Sequence, residues 1–457
     1  MKYDEIIEYL KKLPPFIPVK KDDGSLLFDL DTVSELASRL DAPQDMIRCV
    51  HIAGTNGKGS AAEFLTHILI ESGYRVGTFT SPYLTDMREQ IKVDGKMIPE
   101  ERLGDLFESI IPVAEDMKRE SSCLDVDKDI GLRYKAPSEF EMTVVAAFLY
   151  FYRCKCDICI IEAGLGGEYD ATNILSNPLL CLFTNISIDH TAVLGDTLES
   201  IAGIKAGIIK PGCECISVQQ KEEVNKVLRK RAAEKGVSFQ TVLKPSVSET
   251  DLSGLSFDTQ FEGRKHTFRL SVSGSYQAVN ASLAIYAAER LRAKGFKKIF
   301  LETVRSGLLL TKRKGRFEVL SRKPPIIADG AHNDGGVKAL LESLKEVFPQ
   351  RYRSGKGFVF IAGVMADKDY NAFLGPVIDR AFKVYTVTPD NVRAMPAKAL
   401  ANVFKSMGAD AEASADVKEA LLSAIETAMD KDMPVVAFGS LYYIGELIEC
   451  VEDLRRS

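Results

Sequence analysis

His51-Ile52-Ala53-Gly54-Thr55-Asn56-Gly57-Lys58-Gly59-Ser60 decides the fold. The apolar run Ile47–Ile52 reads as a strand, the glycines as a turn and Ser60–Gly73 as a helix. A polyphosphate needs closely approaching backbone N–H groups, and the glycines Gly54, Gly57 and Gly59 permit that approach. Lys58 supplies a compact cation, and Ser60 a hydroxyl at the helix start that can meet phosphate or Mg²⁺. The loop is shorter than the standard P-loop, which has four residues between its first glycine and the Gly-Lys pair. A plain Gly-rich turn with a solvated lysine is the alternative; a strand before it and a helix behind it favour the phosphate loop.

Outward from this loop, strand-like runs alternate with helical stretches. Arg75–Phe79, Ile158–Glu162 and Leu179–Thr184 are strands, and Glu139–Tyr152 carries helical periodicity. That order predicts a parallel sheet with crossover helices. At Thr311–Arg316 (TKRKGR) the chain turns basic and Gly-containing, as a hinge would. Strands return at Ile326–Ala328, Gly357–Ala362, Lys383–Val387 and Val435–Phe438. The expected organisation is an ATP-binding domain over residues 1–311, a linker over 312–316 and a second domain over 317–457. The fold class is α/β: a P-loop-type ATPase domain with a mostly parallel sheet, then a smaller Rossmann-like α/β domain. Ser246–Leu270 alternates as β-hairpins do, and is expected at the edge of the first domain.

Bulk properties narrow the function. A chain of 457 residues is too long for one core. Its 59 basic and 64 acidic residues, net charge −5, give no basic stripe for duplex nucleic acid. The longest apolar run, Met142–Tyr152, falls short of the roughly 20 residues of a bilayer span. Asp4 and Glu5 come early with no apolar segment behind them, which argues against export. A cytoplasmic protein follows, with its nine cysteines as thiols. Cys154, Cys156 and Cys159 have a metal-like spacing, but no second pair completes a set, so core thiols are expected there and at Cys213 and Cys215.

The loop GTNGKGS resembles that of the Mur ligase superfamily, and HIAGTNGKGS resembles folylpolyglutamate and dihydrofolate synthases in particular. The similarity continues in order: TSPYL with Arg88-Glu89, SEFEMT, EAGLGGEYDATN, TNISIDHTAVLGDT, IAGIKAGIIK, KGRFE, DGAHN and DKD. It implies an ATP-dependent ligase that activates a carboxylate as an acyl phosphate, joins it to L-glutamate and releases ADP and phosphate. The acceptor would be a folate, with dihydropteroate as a further one. Two Mg²⁺ ions would offset the gathered anions. Monomer is the default oligomeric state.

The resemblance also distributes roles. Gly54–Ser60 would cradle ATP, joined by the amides of Gln277 and Asn280, by Arg316 from the hinge and by Asp329 and His332 of DGAHN. Lys58, His190 and Lys205 would be catalytic, with Lys205 carbamylated. Ser60, Ser81, Glu141 and His190 would hold metal. On local sequence alone Glu141 is equally a surface glutamate, and Lys205 a snorkelling helix lysine. Ser81, Tyr83, Arg88, Phe140 and Asp170 would meet the folate side, with Glu89, Thr172 and Asn173 near them, and Phe140 stacking on the pterin. Asp367 and Arg393, with Lys368 and Asp369, would serve the amino acid. Glu168 stands where many bacterial members have arginine, a charge reversal beside an anionic substrate.

Two rivals remain. A cell-wall Mur ligase would run this chemistry on a nucleotide-sugar peptide, but no separate nucleotide-sugar domain precedes Gly54. A regulatory NTPase would leave His190, Lys205 and DGAHN without a shared purpose.

Overall fold

Residues 1–14, 19–20, 26–27, 30–122, 135–366 and 370–456 are described by the structure, a computed structural model. The chain divides into two compact units, residues 1–244 with 280–307, and residues 245–279 with 308–457.

In the first unit the strands of the main sheet are β1 (Cys49–Ala53), β2 (Val76–Phe79), β3 (Ile91–Val93), β4 (Lys96–Met97), β5 (Ile158–Glu162), β6 (Leu180–Phe183), β7 (Glu214–Ser217) and β8 (Phe239–Thr241). They form one eight-stranded sheet in the order β8-β7-β6-β1-β5-β2-β3-β4. The pairings from β8 through β2 are parallel, and β3 and β4 add an antiparallel edge. β1, β2, β5 and β6 are buried along their whole length, which is why they read as continuous apolar runs rather than alternating ones.

Helices α1 (Lys58–Glu71), α2 (Glu139–Arg153), α3 (Leu198–Ala206) and α4 (Glu222–Glu234) lie between these strands. Gly57, at φ +94°, turns the chain so that the Ala61 N–H already donates to the Gly57 carbonyl, and α1 starts ahead of Ser60. Helix α5 (Tyr276–Ala293) carries Gln277 in the second unit and Asn280 in the first.

In the second unit β9 (Ser246–Asp251), β10 (Gly254–Phe261) and β11 (Arg264–Leu270) make an antiparallel three-stranded sheet. The expected hairpins form, but they group with the second unit rather than with the edge of the first. The larger sheet holds β12 (Glu318–Arg322), β13 (Pro325–Ala328), β14 (Phe358–Ala362), β15 (Ala381–Thr386), β16 (Ala411–Ala413) and β17 (Val435–Phe438), ordered β12-β13-β17-β14-β15-β16. All its pairs are parallel except β12 with β13. Helix α6 (Asp334–Val347) starts on the Asn333 side chain, which accepts the Gly336 N–H at 2.8 Å.

Cys159, Cys213 and Cys215 are core thiols, while Cys154 and Cys156 are half-buried. Among the described residues no three His, Cys, Asp or Glu side chains converge for a metal, and no helix is long and apolar enough to cross a membrane.

Candidate active site

The central strand β1 lies between β5 and β6, and the chain leaves it toward β2 on one side and returns to β6 on the other. Such a reversal opens a crevice at the carboxyl ends of parallel strands. Four loops gather at that end of the first unit: Gly54–Gly57 after β1, Thr80–Asp86 after β2, Ala163–Asp170 after β5 and Thr184–His190 after β6.

The first loop is fixed by close contact. Thr55 N–H and Asn56 N–H donate to the Asn185 carbonyl at 2.7 and 3.2 Å, and Thr55 Oγ1 donates to the Ser187 carbonyl at 3.0 Å. A Cβ on Gly54 would sit 2.0 Å from Thr184 Oγ1, and one on Gly57 would sit 2.3 Å from Asn280 Oδ1. Gly54 and Gly57 are therefore required, and the Asn280 side chain lies against the loop. Gly59 and Ser60 are buried in the first turn of α1.

Three charged groups meet here. Lys58 Nζ stands 3.9 Å from Glu162 Oε1 and 3.5 Å from the Thr55 carbonyl. The other Glu162 oxygen accepts the Ser81 N–H at 3.3 Å. Glu162 is only 4% exposed. It closes the otherwise apolar strand β5 and is the carboxylate set against Lys58 and Ser81, although the motif pattern does not single it out. Its signal in the sequence is an acidic residue ending the run Ile158-Cys159-Ile160-Ile161 where a parallel strand meets its loop. Lys205, the third group, is buried, and its Nζ donates to the Gly54 carbonyl at 2.9 Å. Burial, with the Lys58 ammonium nearby, pushes the Lys205 amine down to about 7 against the pull of Asp189 and Asp170. Lys205 is thus no snorkelling lysine. His190 has a half-exposed ring 3.8 Å from Asp189, on a left-handed backbone at φ +50°.

Glu141 is committed elsewhere. Its Oε2 accepts from Ser138 N and Ser138 Oγ at 2.8 and 2.7 Å, while Ser138 Oγ accepts the Glu141 N–H. This is a capping box opening α2. At 6% exposure it is not a surface glutamate either.

On the loop after β5, Asp170 is 1% exposed and its carboxylate accepts from Leu165 N (2.7 Å), Thr172 N (3.1 Å) and Thr172 Oγ1. Burial raises its pKa against these donors. Asn173 Nδ2 donates to the Glu168 and Gly207 carbonyls. Both residues hold the loop together from inside. Phe140 packs on it: a Cβ on Gly164 would lie 2.6 Å from Phe140 Cζ. The Glu168 carboxylate reaches Arg231 of α4 at 3.6 Å. Tyr83 is 40% exposed on the loop after β2. Arg88 is held by Asp86 (2.6 Å) and Glu100 (3.1 Å) and lies over the Tyr3 ring. Glu89 ties the same loop by accepting Leu84 N–H at 2.9 Å.

In the second unit Asp329 ends β13. It accepts from Tyr276 OH, Phe317 N and Ala331 N, each at 2.8 Å. Burial raises its carboxyl while the Arg316 guanidinium lowers it. Arg316 lies over Gly330, where a Cβ would come within 2.8 Å of Nη1. His332 Nδ1 meets the Gly330 carbonyl at 2.7 Å, which places the proton of a neutral ring on Nδ1. Gln277 is buried in the first turn of α5. Arg393 is exposed, and its carbonyl accepts the Ala366 N–H at 2.8 Å. Asp367, Lys368 and Asp369 lie outside the described residues.

The Mur ligase middle domain matches residues 126–288, and the Mur ligase glutamate ligase domain matches residues 315–441. A dihydrofolate synthase/folylpolyglutamate synthase of Bacillus subtilis (strain 168) is 35% identical over 423 residues, 92% of this chain and 94% of that protein. A Mycobacterium tuberculosis folylpolyglutamate synthase, solved with ADP and AMPPCP, has a TM-score of 0.83 at 27% identity, covering 98% of this chain and 97% of its own. An FPGS–AMPPCP–folate complex has a TM-score of 0.80 at 27% identity, over 98% of each chain.

Proposed function

This chain belongs to the folylpolyglutamate synthase/dihydrofolate synthase family of Mur ligases, and from that premise we propose how its own residues carry the family's reaction. It is an ATP-dependent ligase that joins L-glutamate to a folate. Dihydropteroate is a second acceptor in this reading, supported by the similarity to the Bacillus subtilis protein named for both activities. A cytoplasmic, reducing setting belongs to it too, supported by the eight described cysteines, all thiols.

The observation that carries the reading is Lys58 beside Glu162, at the mouth of a loop whose glycines leave no room for a Cβ. Lys58 and the loop N–H groups hold the ATP phosphates. The acceptor carboxylate attacks the γ-phosphate, and the Lys58 ammonium stabilises the charge that develops on the transferring group. The acyl phosphate and ADP result. The glutamate amine then attacks the acyl carbon, phosphate leaves, and an amide remains. No covalent enzyme intermediate is needed.

Mg²⁺ suits the donor set. The Glu162 carboxylate, the Ser81 and Ser60 hydroxyls and the His190 ring would hold it, and Mg²⁺ asks for only one or two carboxylates beside phosphate and water. When bound, it offsets the charge of the gathered anions. Glu162 takes the place in this set expected of Glu141, whose oxygen is bound to Ser138. Carbamylation of Lys205 is part of the reading, supported by an amine held down to about 7 and so partly unprotonated, and nucleophilic toward CO₂, at neutral pH. Arg316, Asp329 and His332 serve the nucleotide in this reading, supported by the Mur ligase glutamate ligase domain match that spans them. Arg393 and Asp367 serve the amino acid.

The test is ADP release from ATP, Mg²⁺ and L-glutamate with tetrahydrofolate or dihydropteroate, the products being weighed by mass spectrometry. One added glutamyl unit on both acceptors is expected. Addition to tetrahydrofolate alone removes the second activity, and ADP release without either acceptor overturns the ligase reading.

A further inference from the structure

His51 lies at the centre of β1 and is fully buried. Its Nε2 is 2.9 Å from Thr172 Oγ1, and the Thr172 hydroxyl donates to Asp170 Oδ1. A hydroxyl has one proton. With that proton given to the carboxylate, Thr172 can only accept from His51, so Nε2 carries the ring proton. Nδ1 is then a bare acceptor, and it is buried with no hydrogen-bond partner. Burial pushes the ring down to about 3, so it stays neutral, and the Lys210 ammonium acts in the same direction. An apolar residue would fill this core position without stranding a polar atom. A histidine kept there has a use for Nε2–H, and the contacts state what it is.

We propose that His51 is a positioning residue for the acceptor side of the reaction, acting through Thr172 and Asp170 on the loop that follows Glu162. The relay runs inward to outward: the ring N–H donates to the hydroxyl, the hydroxyl donates to the carboxylate, and the carboxylate accepts the Leu165 N–H at 2.7 Å. Its last member sets the height of Gly164, where a Cβ would lie 3.2 Å from Asp170 Oδ2 and 2.6 Å from Phe140. Glu162, against Lys58 and Ser81, lies just before this stretch. The strand that carries the phosphate loop at its end thereby also fixes, from its middle, the loop opposite. The inference rests on reading Ala163–Asn173 as the acceptor side.

The test compares His51→Leu and Thr172→Val, which break the relay, with His51→Gln and Thr172→Ser, which keep a donor at each place. Acceptor and ATP KM are measured together with amide hydrogen exchange over residues 163–173. Each breaking substitution is expected to raise acceptor KM about tenfold, the worth of one buried hydrogen bond, with ATP KM unchanged. The double substitution should be no worse than either alone. His51→Gln and Thr172→Ser should behave as the natural protein, and the Leu165 and Thr172 amides should exchange faster only in the broken pair. Unchanged exchange, or His51→Gln impaired as His51→Leu is, overturns the relay. Faster exchange with an unchanged acceptor KM overturns the acceptor-side reading instead. Should His51→Leu fail to fold, the Thr172 pair carries the same comparison.

Discussion

Two buried carboxylates, each ending a parallel strand, have opposite surroundings. Asp329 in the second unit takes three hydrogen bonds of 2.8 Å from Tyr276, Phe317 and Ala331. Glu162 in the first unit accepts from Ser81 at 3.3 Å and faces the Lys58 ammonium at 3.9 Å. The first joins three elements through bonds already made, whatever it adds at the nucleotide. The second is an ion pair set against the phosphate loop, where a bound phosphate or cation would have charged partners of both signs. Equal burial at equivalent strand ends therefore does not mean equal work.

The contrast can be broken at its strongest point first. Lys58→Ala should cut kcat on the order of 10³-fold with an unchanged unfolding midpoint, because it removes the cation that meets the transferring charge. Glu162→Gln should cost on the order of 10²-fold, whereas Glu141→Gln, which keeps the capping box, should turn over normally. Equal losses at the two positions would return Glu141 to the metal site. Asp329→Asn turns an acceptor oxygen into a donor facing a backbone N–H, and should lower stability by about 1–3 kcal/mol in urea titration. Lost turnover at an unchanged midpoint would leave Asp329 its nucleotide role alone.

Lys205 sharpens the comparison through pH. The unfolded chain carries a lysine in the ordinary range, so below about 7 the native state bears the full cost of a buried ammonium. Between about 7 and the ordinary lysine range the unfolded chain binds more protons, and stability rises with pH. Lys205→Met should flatten that rise in the midpoint-against-pH curve. The smallest effect is expected at Glu168, whose half-exposed carboxylate points to Arg231. Glu168→Gln should move stability by less than about 1 kcal/mol and leave acceptor KM unchanged. A large KM shift would place that charge at the substrate after all.

The fold was legible because its strands are buried on both faces. Ile158–Glu162 and Val435–Phe438 have the limits that their apolar runs suggest, and Gly57 marks the start of α1. The site was legible where chemistry is written in contiguous residues, as at Gly54–Ser60, and less so where it depends on neighbours across the sheet. Glu162 meets Lys58 only because β1 and β5 pair in register, which no single stretch displays. Glu141 is the opposite case: Ser138-Glu139-Phe140-Glu141 has the spacing of a capping box, and that local signal outweighs its resemblance to a ligand. The hairpins of Ser246–Leu270 were visible, but their allegiance was not, since alternation reports one buried face and not what buries it.

The crowding at Gly54 has a consequence for how this sequence can change over generations. The space that a methyl group at residue 54 would need is filled by Thr184, far along the chain on the neighbouring strand's loop. Loss of the glycine therefore cannot be repaired by adjustment within the loop itself. A smaller residue at 184 would relieve the contact with the side chain but not the backbone at φ +152°, so residue 54 is expected to remain glycine whatever stands at 184.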